Sequence, residues 1–195
     1  MEFVKVTEVK DLLKDHGITP ESDEGERVFW RHEGAEGVVR LHLTSPEGRE
    51  HIQPHDGARV VIVDAERLSG VVDDIIHKLR LRQVLLFPIG KWRDVFDAVA
   101  FSLAGNEDWQ EVDAAAAVEL NGRHPLFCEA GDFQTVSALT EALLRDAETP
   151  NQGLMLTTTT TPLLVEIVPT GAIRVSLGNE ALADEILEAF QRSAS

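Results

Sequence analysis

The stretch AAAAVELNGRHPLFCEAGDFQTVSALTEALL, residues 114–144, decides how the fold is read. Asn121-Gly122 between apolar runs predicts a two-residue hairpin, because both central positions of a type I′ turn need positive φ. A strand therefore climbs to the turn and returns through 124–129. The chain breaks at Gly131, Asp132 supplies an N-cap, and Phe133, Val136, Leu139, Ala142 and Leu143 recur at the spacing of one helix face.

Towards the C-terminus, 154–160, 163–168 and 172–177 read as strands. Ile173, Val175 and Leu177 alternate with Arg174 and Ser176, and Pro169-Thr170-Gly171 makes a tight turn. Asn179 caps a last helix with Leu182, Ala183, Ile186, Leu187 and Phe190 inward. Towards the N-terminus, Val95, Phe96, Val99, Ala100 and Leu103 stripe a helix that Gly90 introduces and Gly105-Asn106 ends. Before it come a strand at 83–87 stopped by Pro88, a helix over 67–78 and a strand at 59–64. Residues 44–58 read as a long charged loop, 38–43 and 28–30 as strands, 21–26 as an acidic loop, and Thr7 to His16 as a short helix ended by Gly17.

Composition bounds the function. The 195 residues are 43% hydrophobic, enough for a packed core. A net charge of −16 repels phosphate backbones, which disfavours nucleic acid as a partner. One cysteine, Cys128, cannot form an internal disulfide and fits a reducing compartment. No apolar run approaches the ~20 residues of a membrane span, and residues 1–30 lack a signal-peptide core. The expectation is a cytoplasmic protein without a membrane partner.

From residue 91 onward the expected order is helix, strand, strand, helix, three strands, helix. That order resembles the roadblock / dynein light chain family of profilin-like and longin-like folds. The resemblance covers about 91–195 and is carried by AAAAVELNGRHPLFCEAGDF, the hairpin LLVEIVPTGAIRVSL and the amphipathic last helix. It implies an α+β fold over 89–195, an antiparallel sheet with flanking helices. Residues 1–88 have no counterpart in that family and are expected to add a smaller α/β segment with its own small sheet. The resemblance also implies a dimerising, non-enzymatic scaffold that docks another protein, such as a small GTPase or a similar system. In that family the strand after the middle helix lies at the sheet edge and pairs with its copy. Here that strand is Leu156, Thr157, Thr158, Thr159 and Thr160, in an uncharged run with nothing to blunt an edge.

Four groups of residues could carry binding or chemistry. Lys78, Arg80, Arg82, Lys91 and Arg93 are the one basic concentration, with Trp92 beside them as an exposed anchor for a partner. They compensate helix dipoles, or they mark an anionic-ligand site of a profilin-like sensor near Gly90, where a helix N-terminus could receive the anion. GKW lacks the spacing of a phosphate-binding P-loop. HIQPHD places His51 and His55 four apart, the basis of a remote metal-dependent enzyme reading. Pro54 between them argues against a zinc-binding helix, and a solvated loop is the plainer reading. Cys128 and His124 share a strand face about 13 Å apart, too far for a nucleophile–base pair. No cofactor fingerprint appears, so none is expected, and the balance leans against an enzyme.

Overall fold

A computed structural model describes residues 1–22, 27–33, 37–46 and 57–192. The protein is α+β. Among the described residues, eight strands form one antiparallel-dominated sheet with helices against it, and two more form a separate hairpin.

The chain begins with β1 (Glu2–Phe3) and α1 (Val6–Asp15), then the hairpin β2 (Ile18–Ser22) and β3 (Val28–His32). Next come β4 (Val39–Thr44), β5 (Arg59–Ile62), α2 (Ala65–Ser69), α3 (Val71–Lys78) and β6 (Gln83–Pro88). The remainder is α4 (Trp92–Val99), α5 (Glu107–Ala115), β7 (Leu126–Glu129), α6 (Phe133–Asp146), β8 (Leu154–Thr157), β9 (Leu163–Val168), β10 (Ala172–Leu177) and α7 (Glu180–Arg192). The sheet order is β1-β7-β6-β8-β9-β10-β4-β5, antiparallel throughout except for the parallel pair β4–β5. Strands from both sides of residue 88 thus share one sheet. The expected division at residue 88 is not a division of the sheet: β1, β4, β5 and β6 belong to it, and among the described residues β2 and β3 pair only with each other.

The sheet has two different faces. Leu41, Leu43, Val84, Leu86, Leu154, Leu156, Val165 and Ile173 point into a large core beneath the helices. There α6 packs on α2, α3 and α4, and α7 packs on α3. The alternate residues Leu85, Phe87, Met155 and Leu164 point the other way, into a smaller core closed by Leu13 of α1 and Ile18 and Trp30 of the hairpin. Strands β6 and β8 are therefore covered on both faces and read as unbroken apolar runs. Towards β10 and β4 the second face turns polar, with Arg174, Ser176, Arg40 and His42 on it.

Two expectations are corrected here. The hairpin at Asn121-Gly122 does not form. Residues 114–118 belong to α5 and a 3-10 turn, Ala116–Val118. Four alanines are the strongest helix formers available, and Trp109, Val112 and Ala116 bury one helical face. Gly122 is not among the positive-φ residues, and its N–H donates to Glu119 O at 2.7 Å to close the helix end. The order after 91 is accordingly helix, helix, strand, helix, three strands, helix. Nor is the strand at Leu156 a sheet edge. β8 is bonded to β6 on one side and β9 on the other, and Thr157 Oγ1 donates to Leu163 O at 2.7 Å. Its lack of charge comes from burial on both faces. Thr158, Thr159 and Thr160 lie beyond the strand, in the turn that leads to β9.

Candidate functional site

The basic residues do not make one patch. Lys78, Arg80 and Arg82 are exposed where α3 turns into β6, whereas Lys91 and Arg93 stand beyond the other end of that strand. Six strand residues separate the two groups by about 20 Å. Arg80 has a local task. With φ of 50° it occupies the left-handed position after α3. Its N–H donates to His77 O, while Leu81 N–H reaches back to Ile76 O, the bond pattern of a Schellman stop.

Trp92 is corrected from exposed anchor to core. It is fully buried, its Nε1 donates to His124 O at 2.7 Å, and Phe3 meets it edge-on at 5.5 Å. The anion site at Gly90–Arg93 is occupied by the protein itself. Gly90 N–H donates to Asn151 O, Arg93 N–H to Leu120 O, and Lys91 N–H to Asp94 Oδ2 at 2.9 Å. Asp94 supplies the negative charge that such a helix start attracts. His51 and His55 lie outside the described residues, and no group of metal-ligating side chains is found among those described. Cys128 is buried, and burial, with Asp132 adding to it, pushes its thiol up to about 12. That is the reverse of what a nucleophile needs.

The constellation that folding does assemble lies on the polar part of the second face. A cavity of about 370 Å³ opens between the hairpin β2–β3 and strands β9, β10 and β4. Its floor is set by register. Arg174 of β10 faces Glu166 on β9 and His42 on β4, and Ser176 faces Arg40. Arg174 Nη1 donates to both Glu166 oxygens, at 3.1 and 3.2 Å. Arg40 Nη2 donates to the His32 carbonyl at 3.2 Å and so ties β4 to the hairpin. Trp30, Met155 and Leu164 form the apolar wall, with Trp30 N–H directed at Met155 Sδ at 3.2 Å.

Two polar atoms in this cavity are buried without a hydrogen-bond partner among the described residues, Arg174 Nε and His32 Nδ1. Burial holds the His32 ring below its ordinary value. Contact with the Ser176 backbone opposes that shift and the Arg40 charge reinforces it. His32 is therefore a neutral ring at pH 7, able to donate or accept at the free nitrogen. Sequence reasoning missed this site because its residues come from 30–42 and 155–176 and meet only through long-range pairing. The available signal was the alternation of Arg40 and His42 with Leu41 and Leu43, and of Arg174 with Ile173 and Val175. It places charge on one face of strands long enough to be buried.

No helix among the described residues is long and apolar enough to cross a membrane. No family model, curated protein or solved structure matches the chain.

Proposed function

We propose that the chain is a non-enzymatic protein-interaction module that pairs with a second copy of itself through β5. One observation carries the reading. Among the described residues β5 ends the sheet order, and its branched side chains Val60 and Ile62 are 45% and 42% exposed. Both lie on the second face, in register with His42 and Thr44. The strand, RVVI, holds neither proline nor lysine, and its one charge, Arg59, is engaged by Glu180 at 2.9 Å. An unblunted edge of this kind is a template for another strand. Antiparallel pairing of two β5 strands about a two-fold axis would satisfy both edges and close the assembly. A ladder of four residues is short, so the dimer is weak and concentration-dependent. A small GTPase or similar system remains the partner class that the roadblock resemblance implies, docking on the dimer. Sedimentation velocity over a concentration series tests the pairing. Wild type should shift from monomer to dimer with concentration, and Val60→Lys with Ile62→Lys should stay monomeric while remaining folded. A monomer at every concentration, or an unaffected dimer in the double variant, refutes it.

A further inference from the structure

The cavity beneath the hairpin is independent of the β5 edge and has a chemistry of its own. We infer that it is a binding site for a small monocarboxylate with an apolar tail, whose carboxylate bridges Arg174 and Arg40 while its tail lies against Met155, Leu164 and Trp30.

The argument starts from unmet donors. A guanidinium N–H can only donate, and Arg174 Nε is buried with nothing to donate to. Leaving such a group unmatched is costly, so native structures fill the position with an acceptor. Arg174 cannot turn away, because Glu166 clamps its Nη1 from the neighbouring strand. His32, 97% buried by its 3% exposure, presents the second unmatched nitrogen. Arg40 brings a further guanidinium that forms no ion pair among the described residues. It is the diagonal neighbour of Arg174 across β4–β10, a separation of roughly 7–8 Å, so a carboxylate held at the fixed Arg174 is within reach of the longer swing of Arg40.

Charge selects among acceptors. Glu166 already neutralises Arg174, Glu21 pairs with Arg31 on the hairpin, and Glu33 adds a further carboxylate to the lining. A dianion such as phosphate would therefore be repelled and undercompensated, whereas a single negative charge can be held by direct contacts with the Arg174 and Arg40 guanidinium groups. The volume of about 370 Å³ is at the small end for ligand pockets and suits a chain of a few carbons beyond the headgroup.

Calorimetric titration of the full chain with octanoate, octanamide and inorganic phosphate tests the assignment. Octanoate should bind, with octanamide and phosphate each weaker by about tenfold or more, the value of one charge-assisted contact. Arg40→Met should weaken octanoate by about tenfold, and so should the charge-neutral pair Arg174→Met with Glu166→Gln. In wild type, the His32 ring resonances should move with octanoate and not with phosphate, a readout that stands even where a variant fails to fold. No binding of octanoate up to about 10 mM overturns the assignment. So does octanamide or phosphate binding as tightly, affinity unchanged in the folded variants, or a His32 ring that does not respond.

Discussion

Removing the indole of Trp92 should cost the protein its stability rather than a binding partner. Trp92 is fully buried, held at one edge by Phe3 and at another by Phe96, 6.0 Å away. Its N–H fills the His124 carbonyl, which has to be satisfied where the chain enters β7. Trp92→Ala deletes the ring and leaves that carbonyl unmet, a loss of about 3–5 kcal/mol for an aromatic core truncation. Trp92→Phe keeps an aromatic ring beside Phe3 and Phe96 and mainly loses the hydrogen bond and some volume, about 1–2 kcal/mol. For a chain of this length each kilocalorie moves the melting midpoint by about 2–4 °C, so Ala should lower it by roughly 10 °C and Phe by about 2–8 °C. Urea unfolding followed by far-UV circular dichroism gives both numbers, with an unchanged m-value showing that the unfolded state is the same. A cost below about 1 kcal/mol for Trp92→Ala, the ordinary range of surface changes, would refute the placement.

Three further outcomes follow from the same geometry. The Cys128 thiol is raised from 9.0 to about 12 in the fold, so the unfolded chain ionises first, and stability is lost as pH rises from 9 towards 12. Cys128→Ala should flatten that alkaline slope in pH-dependent urea titrations, and native protein at pH 8 should resist a thiol reagent until denatured. His32 is lowered from 6.5, so the unfolded chain takes up a proton that the folded ring refuses. Its contribution is present above pH 6.5 and lost below it, and His32→Gln should remove part of the acid-side fall in melting temperature. Arg80 holds a left-handed backbone after α3, so Arg80→Gly should stabilise by up to about 1 kcal/mol while Arg80→Ala should not. Equal unfolding midpoints for Gly and Ala would count against strain at that position.

Local physics was legible in the sequence and long-range pairing was not. The α6 stripe of Val136, Leu139, Ala142 and Leu143 is buried as its spacing requires. Asn179 Oδ1 accepts from Leu182 N at 3.0 Å as a cap should, and Gly171 has φ of 76° in the turn that Pro169-Thr170-Gly171 announced. The α+β class follows from such elements. The failures share a cause. Asn121-Gly122 carries a local turn signal, but Trp109, Val112 and Ala116 make a helical face, and tertiary burial of that face decides the outcome. The threonine-rich run was uncharged because α1 and the hairpin β2–β3 cover its far side, which only the three-dimensional arrangement shows. Gly90–Arg93 lost its anion reading to Asn151, Leu120 and Asp94, of which only Asp94 is close in sequence.

Hydrogen exchange at the amides of β5, measured from dilute to concentrated protein, tests the proposed module most directly, because it locates the interface as well as detecting it. Pairing through β5 predicts that protection over Arg59–Ile62 rises with concentration, while the buried ladder of β8 stays equally protected throughout. Exchange at β5 that is fast and independent of concentration, in protein that nevertheless dimerises, would contradict the account and send the interface elsewhere on the molecule.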